Sequence, residues 1–459
     1  MRSIFAACFA VSLFACGGNN NSDDDGDGGN GKPDACVGLE CDVVNCTAMG
    51  MPPTTISGTV FAPNGTLPLN GVNVYVPRDP LPLPPFTEGA TCDRCSTTLP
   101  GGAVVQATSG EDGSFTLENV PTGADIPLVI TTGKWRRVVT IPSVTQCATT
   151  TVGTAETSLP KTRAEGEIPR TAITTGDADT LECLIRKLGI ADSEIGVENT
   201  DSRIHLYRGD GVASFQAGGN IPPAGPFWSS VDSLKRYDIV FLSCEGSQMA
   251  DGNGGGTNKT QAQLNAMKEY ADLGGRVFAS HWHNIWVGGN FQGNGNPSPP
   301  VWAGIAQWQR NDDNNPGNPI LIDEGGNPKG TAFANWMVNV GGSSTRLQIP
   351  LGNEAGGGTT ARRTALSLDT TKAERWVKTS RGGTDGPQMF QFTVPNEVQP
   401  DQRCGKVVFT DMHVTGQPED LEPYPRNCNA NGADLTMTPQ EKALAFMFFD
   451  IAGCVGVIL

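Results

Sequence analysis

The stretch "YDIVFLSCEG", Tyr237 to Gly246, is an apolar run that ends in ionisable residues. A second run of this kind, "GGRVFASHWHN", spans Gly274 to Asn284, and the helical pattern between them begins with Thr260 and Gln263 placed as a capping box. Near-continuous apolar strands that alternate with helices are typical of a parallel sheet covered on both faces. We therefore expect an α/β domain with a mostly parallel, flavodoxin-like sheet.

The same alternation extends over residues 169–459. "RTAITTG" predicts a strand, "DTLECLIRKLG" predicts a helix, and "GKVVFTDMH" predicts a later strand. The closing run "TPQEKALAFMFFDIAGCVGVIL" contains Asp450, Gly453 and Gly456, so it predicts a packed terminal helix and not a membrane span. A long insertion rich in Gly, Asn and Trp follows the second apolar run.

Residues 51–150 follow a different pattern. "TISGTVFAPNG" and "GVNVYVP" are short strand patterns that end at turn residues, and "SGEDGSFTLENVPTG" carries an Asp-Gly turn before an alternating strand. Short alternating strands without a helical segment predict a small β-sandwich. Residues 151–168 predict a linker, so the chain is expected to be multi-domain.

The N-terminus has the character of a targeting segment. Residues 1–15 combine an early positive charge with an apolar run too short to span a bilayer, and "LFAC" ends at Cys16. This junction resembles the bacterial lipoprotein signal, which implies that Cys16 carries lipid. The resemblance implies a membrane partner, with the protein anchored at the outer membrane or cell surface of a Gram-negative-type envelope. The acidic segment that follows, within residues 16–50 and including a cysteine cluster, predicts a disordered tether.

The net charge argues against nucleic-acid binding, and the cysteine content predicts disulfide bonds. A net charge of -16 argues against nucleic-acid binding, which needs a basic surface. Of 13 cysteines, Cys8 leaves with the signal and Cys16 takes lipid, so 11 remain and at least one is unpaired. Disulfides are expected at Cys92 and Cys95. Cys183 and Cys244 are expected at one sheet edge, within disulfide reach of each other.

Both regions of the chain resemble known families. The sandwich is similar to carboxypeptidase regulatory-like, transthyretin-like domains, which implies an accessory module without peptidase activity. The positions that carry this resemblance are Ser57, Gly58, Val60, Val72, Val74, Asp112, Gly113, Phe115, Val120, Pro121 and Gly123. The α/β region resembles class I glutamine-amidotransferase-like domains, especially the trehalose-utilisation-like branch, through "YDIVFLSCEG", "YADLGGRVFASH" and "CGKVVFTDMHV". That family places a nucleophilic Cys where this chain has Ser280 and His281, so the resemblance implies a degenerate site.

Ionisable side chains follow every major strand of the predicted sheet. In open parallel sheets, ligands bind beyond the carboxyl ends of the strands. Three of the four histidines lie there, and on a continuing strand His281 and His283 point to the same side, where one should approach His413. The expected binding residues are Asp177, Glu245, Ser280, His281, Trp282, His283, Asp411 and His413.

Three chemistries compete for this edge. Cys244 could be a nucleophile with a histidine base if its thiol is free. His281, His283, His413 and Asp411 could hold zinc with an open position, although no cofactor is required by the pattern. The edge could instead recognise a ligand through hydrogen bonds and stacking on Trp282 and Trp286.

The sequence favours the third chemistry. We expect an envelope-anchored lipoprotein whose degenerate domain binds a glycan or a partner protein and is not an enzyme. The alternative is a metal-assisted hydrolase that acts on an envelope or extracellular substrate.

Overall fold

The computed structural model of the protein describes residues 36–459, apart from 96–97, 249–258, 293–297, 314, 353–359, 382–385, 414–421, 429–434 and 457–459. The predicted signal segment, the lipidation residue Cys16 and the beginning of the tether lie outside the described residues. Gly38–Leu459 form one compact unit. Among the described residues, no helix combines the length and the apolar character that crossing a bilayer requires.

Two small sheets form the sandwich region of this unit. Their strands are β1 (Thr55–Thr59), β2 (Asn73–Pro77), β3 (Ala103–Thr108), β4 (Ser114–Glu118), β5 (Gly123–Thr132), β6 (Trp135–Val144) and β7 (Thr149–Thr151). One sheet has the order β4-β1-β7 and the other the order β3-β2-β5-β6. In β4 the burial alternates residue by residue, so Phe115 and Leu117 enter the core while their neighbours face solvent.

The α/β region combines helices with a large sheet. Its strands are β8 (Thr171–Thr175), β9 (Ile195–Gly196), β10 (Ile204–Arg208), β11 (Ile239–Leu242), β12 (Arg276–Ser280), β13 (Ala306–Asp313), β14 (Ile320–Ile322), β15 (Gln348–Ile349), β16 (Arg363–Leu368), β17 (Glu374–Lys378), β18 (Pro387–Val394) and β19 (Gly405–Thr410). The helices of the chain are α1 (Thr154–Thr157), α2 (Leu181–Lys187), α3 (Ala224–Trp228), α4 (Val231–Leu234), α5 (Gln261–Asp272), α6 (Ile285–Gly288), α7 (Gly330–Asn339) and α8 (Pro439–Ala452). The expected mixed α/β architecture with several multi-stranded sheets is confirmed.

The ten-stranded sheet has the order β15-β14-β17-β18-β19-β12-β11-β8-β10-β9. From β19 to β9 neighbouring strands are parallel, whereas β18, β17, β14 and β15 extend the sheet in antiparallel fashion. The five longer parallel strands are, in chain order, β8 (first), β10 (second), β11 (third), β12 (fourth) and β19 (fifth). Across the sheet they lie in the order β10-β8-β11-β12-β19, which is 2-1-3-4-5. In doubly wound sheets of this order, ligands bind where the winding direction reverses, which here is between β8 and β11.

Disulfides join distant segments of the chain. Four of the bonded pairs are Cys46–Cys147, Cys92–Cys404, Cys95–Cys454 and Cys183–Cys428, and Cys36 and Cys41 are also disulfide-bonded. The expectation that Cys183 bonds Cys244 is therefore wrong. Helix α2 directs Cys183 toward the short 3-10 helix Arg426–Cys428, where Asn427 also donates a hydrogen bond to the neighbouring Glu182.

The segments flanking the sandwich are packed against it. Cys46 is buried and bonded to Cys147, so this end of the segment expected as a tether belongs to the folded unit. Within the expected linker 151–168, Leu159 and Ile168 are buried in the main core, and Arg136 of β6 forms an ion pair with Glu167. The covalent and packing contacts therefore join the sandwich and the α/β region into a single structural unit.

Candidate metal centre

Three side chains from neighbouring strand ends converge beyond the carboxyl edge of the sheet. Cys244 follows β11, His281 follows β12, and His413 follows β19. The Nδ1 atom of His281 lies 3.4 Å from the Sγ atom of Cys244 and 3.1 Å from the Nε2 atom of His413. The three ligand atoms all lie within 4.8 Å of one another, and the three residues are buried. The expected approach of His281 to His413 is present.

Cys244 is set apart from the other cysteines that the structure describes. Ten of these are disulfide-bonded, whereas Cys244 is free and fully buried. The Gly246 backbone N–H points at its sulfur atom, 3.5 Å away. A free thiol whose sulfur lies within 4.8 Å of two imidazole nitrogens is placed to share a metal ion with them.

The backbone at His281 explains how its ring reaches the cluster. His281 has a φ of 41°, in the left-handed region that non-glycine residues avoid. The chain therefore leaves the strand direction after Ser280 and enters the 3-10 helix His281–Asn284. The expectation of a continuing strand with His281 and His283 on the same side is wrong, because this turn sends the two rings to different neighbours.

His283 is held outside the cluster. Its Nδ1 atom accepts a hydrogen bond of 2.9 Å from the Trp286 indole N–H, so the Nε2 atom carries the proton and donates to the Ser243 carbonyl oxygen over 2.8 Å. Burial, together with the charge of Lys259, holds the pKa of His283 well below its usual range. With both ring nitrogens engaged, His283 orders the turn and does not fit the expected set of ligands.

Asp411 is likewise occupied by structural hydrogen bonds. Its Oδ2 atom accepts from the backbone N–H groups of Thr364 and Ala365 at 2.7 and 3.1 Å, and Oδ1 accepts from the Thr364 hydroxyl at 2.8 Å. Burial raises the pKa of Asp411 to about 7, against the opposing effect of these donors. Asp411 thus fixes β16 beside the end of β19, and the expectation that it ligates a metal is not met by this geometry.

Asp312, which the sequence did not indicate, supports the cluster from the opposite side of the His281 ring. It lies on β13 in the Gly/Asn/Trp-rich insertion, and its Oδ2 atom is 3.6 Å from the His281 Nε2 atom and 3.4 Å from the Arg362 Nε atom. Burial, then His413 and Arg362, hold the pKa of His281 well below its usual range, so the ring is neutral. The separation of 3.6 Å between Asp312 and His281 is longer than a hydrogen bond, and the His281 Nε2 atom is buried without a hydrogen-bond partner among the described residues. A slightly closer approach of Asp312 would let its carboxylate orient the ring.

The remaining expected site residues surround the cluster in other roles. Glu245 forms a buried ion pair with Lys259, whose ammonium lies 5.0 Å from the centre of the Trp228 ring. The Ser280 hydroxyl donates to the Asp179 carboxylate over 2.6 Å. Asp177 is exposed. These groups shape the edge of the sheet, and their side chains are not members of the three-residue cluster.

The tryptophans near the site are buried. Trp282 is 8% exposed and Trp286 is 0% exposed, so neither offers an open face to a sugar ring. The Trp282 ring instead lies against the His281 ring, with 4.6 Å between the ring centroids. The exposure of these two side chains therefore does not support the expected stacking of a glycan on them.

Comparisons with known proteins do not define a family for the chain. No family model matches the sequence, and no curated protein matches it. A type II cohesin–X-dockerin complex from Acetivibrio cellulolyticus is 16% identical with a TM-score of 0.16, covering 32% of this chain and 78% of that one. The cytoplasmic protein STM3548 from Salmonella typhimurium is 11% identical with a TM-score of 0.30, covering 61% and 97%. A β-galactosidase from Rahnella sp. R3 is 10% identical with a TM-score of 0.24, covering 54% of this chain and 29% of that one.

Proposed function

We propose that the protein is an envelope-anchored, metal-dependent hydrolase whose metal ligands are Cys244, His281 and His413. The observation that carries the proposal is the convergence of three ligand atoms from three adjacent strand ends. Zinc is the metal that such a set of one thiolate and two imidazoles suits best. The proposal takes up the metal-assisted hydrolase, which was the alternative to the binding function that the sequence favours, and it replaces His283 and Asp411 by Cys244 in the ligand set.

The distances within the cluster support a tetrahedral metal. With Zn–N near 2.05 Å and Zn–S near 2.3 Å, two ligand nitrogens lie about 3.4 Å apart and a nitrogen and a sulfur about 3.6 Å apart. The Nδ1–Nε2 distance of 3.1 Å and the Nδ1–Sγ distance of 3.4 Å are each within about 0.3 Å of these values. The third pair, the Cys244 Sγ atom and the His413 Nε2 atom, lies within 4.8 Å, and these two atoms would have to stand about 3.6 Å apart for tetrahedral ligation.

The surroundings also suit a metal. A ligating imidazole must be neutral, and burial holds the pKa of His281 well below its usual range. Asp312 lies behind His281 in the position of an orienting carboxylate. Cys244, His281 and His413 would hold the metal through three protein ligands, and the metal would supply Lewis acidity and an activated water. A hydrolase, rather than a purely structural site, uses such a water.

The test begins with metal content. Protein purified without chelator should contain one equivalent of zinc by plasma mass spectrometry, and Cys244→Ala or His413→Ala should lose it. The matched control is His205→Gln, which removes an equally buried histidine whose Nδ1 atom hydrogen-bonds Tyr237 over 2.7 Å. Equal zinc in the ligand variants and in this control would contradict the site.

Cobalt substitution tests the ligand identity and the open position. The cobalt protein should show a thiolate-to-cobalt charge-transfer band that disappears in Cys244→Ala. Addition of acetohydroxamate should shift the visible cobalt bands and inhibit hydrolysis of chromogenic esters. Bands that stay unchanged would indicate a closed, structural metal and would refute the hydrolase while leaving the metal site intact.

A second candidate function uses the same residues without a metal. Cys244, His281 and Asp312 form a chain with separations of 3.4 and 3.6 Å, in the order nucleophile, base and orienting carboxylate. In that case hydrolysis would be blocked by iodoacetamide and would resist chelators. Loss of activity with chelator and its return with zinc would favour the metal.

The cellular setting belongs to the proposal as well. Lipidation at Cys16, an outer-membrane or surface location, and the two family resemblances come from the sequence. The four disulfides described above support an oxidising compartment. The substrate would then be an envelope or extracellular molecule, and a glycan or envelope protein fits that setting.

A further inference from the structure

A separate cavity lies between the sandwich and the α/β region. Its volume is about 760 Å³, and its lining includes residues of the sandwich strands β2, β3 and β5, the starts of β17 and β19, the middle of β18, and helix α8. Lys406, near the start of β19, lines it, whereas His413 follows the end of the same strand. The cavity and the candidate metal centre therefore belong to opposite ends of β19, and neither depends on the other.

The ammonium groups of the cavity are neutralised by partners within the protein. The Lys406 ammonium donates to the Asp450 backbone and carboxylate oxygens, each over 3.1 Å, and Lys329 contacts the same carboxylate. Lys134 forms an ion pair with Asp238. Glu374 supplies a second carboxylate near Lys329 and Lys406, and the lining also holds Arg94 next to Asp93. Because positive and negative groups balance, the lining does not attract an ionic ligand strongly, and a neutral ligand fits the cavity best.

A buried polar atom of the lining is left for a ligand. The Gln391 Nε2 atom donates to the Glu374 carboxylate over 2.8 Å, and Asn327 donates to the same oxygen over 3.0 Å. The Gln391 residue is only 3% exposed, and its Oε1 atom has no hydrogen-bond partner among the described residues. A buried amide oxygen without a donor is costly, so a ligand hydroxyl that reaches it would be favoured.

The cavity also contains apolar surface in a rigid frame. The rings of Phe446 and Phe449 line it, each 7% exposed. Cys92 and Cys95 lie on its wall and are bonded to Cys404 and Cys454, which ties the sandwich side of the wall to the α/β side. Aromatic rings beside hydrogen-bonding groups in a preformed cavity suit a molecule with both C–H faces and hydroxyl groups.

We propose that this cavity binds a neutral saccharide of one or two rings. A sugar hydroxyl donates to the Gln391 Oε1 atom, and C–H groups of the sugar contact the small parts of the Phe446 and Phe449 rings that reach the cavity. The volume is within the range of about 300–1,000 Å³ that small-molecule sites occupy.

Saturation-transfer NMR on the full chain tests the proposal with glucose, galactose, N-acetylglucosamine and cellobiose as probes. At least one should receive saturation, and its affinity should fall about tenfold in Gln391→Leu, which is the effect of one hydrogen bond to a buried group. Gln388→Leu is the matched control, because Gln388 is a buried glutamine of the same strand that does not line the cavity.

A second variant keeps the test valid if Gln391→Leu does not fold. Thr108 lies exposed at the edge of the cavity on β3, so Thr108→Trp should obstruct entry without disturbing the core. Binding that is lost in Thr108→Trp and retained in Gln388→Leu supports the site. No saturation of any of the four sugars, or binding that survives both Gln391→Leu and Thr108→Trp, overturns it.

Discussion

Glu182 gives a prediction whose magnitude follows from its surroundings. It lies in the first turn of α2, is 1% exposed, and accepts one hydrogen bond of 2.9 Å, from Asn427. The Oε2 atom is buried without a hydrogen-bond partner among the described residues. Burial raises the pKa of Glu182 from 4.5 to about 8. The folded protein therefore keeps a proton on Glu182 at neutral pH, whereas the unfolded chain releases it.

The sign of the pH effect follows from this difference. Between pH 4.5 and 8 the unfolded state loses the Glu182 proton and the folded state retains it, so the free energy of unfolding falls as the pH rises. At about 1.4 kcal/mol per pKa unit, the separation of the two pKa values corresponds to about 5 kcal/mol. This contribution is fully present below pH 4.5 and is lost once the pH exceeds about 8.

Glu182→Gln removes the titrating group and retains the oxygen that Asn427 contacts. Urea unfolding with intact disulfides, followed by tryptophan fluorescence, should be measured at about pH 4, 6 and 9. Relative to wild type, the variant should gain about 5 kcal/mol between the lowest and highest pH. The control Glu118→Gln makes the same substitution at an exposed carboxylate on β4 and measures the effect of the amide itself. A constant difference for Glu182→Gln would refute the assignment of a buried, protonated carboxyl.

Three further predictions concern the anchor, a disulfide and an ion pair. Cys16→Ser should move the protein from membrane to soluble fractions on fractionation, and an unchanged distribution would exclude lipidation. Peptide mapping under non-reducing conditions should find Cys183 joined to Cys428, and any other partner would contradict the structure. Lys259→Met should lower the free energy of unfolding by about 3–5 kcal/mol because it leaves Glu245 buried without its ammonium partner. The double variant Lys259→Met/Glu245→Gln should recover some of this loss, and no recovery would argue against the pair.

Much of the α/β region could be predicted from sequence because its signals are local. The apolar runs became β11 and β12, and the capping boxes begin α5 at Thr260 and α8 at Thr438. The rule that parallel strands place their ends at one edge brought His281 and His413 within 3.1 Å. These features need only periodicity, cap residues and strand direction.

The details of the site depend on tertiary contacts that the sequence does not encode locally. The left-handed conformation of His281 could not be read from "SHWHN", and it separates His281 from His283. Asp312 comes from an insertion far along the chain, with no motif to distinguish it from the aspartate beside it. The sequence predicted Cys244 as the partner of Cys183, whereas the bonded partner is Cys428. The segment that carries Cys428 reaches α2 through tertiary packing, which no local pattern indicates.

The long-range disulfides have a consequence for biogenesis. Cys92 and Cys95 are neighbours early in the chain, but their partners Cys404 and Cys454 lie 312 and 359 residues further on. At a synthesis rate of about 5–20 residues per second, an interval of roughly 15–60 s separates the first thiol from its partner. If the chain enters an oxidising compartment N-terminus first, these two thiols can join each other or earlier cysteines meanwhile. Recovery from such premature bonds proceeds by thiol–disulfide exchange, so efficient production depends on a disulfide isomerase as well as an oxidase.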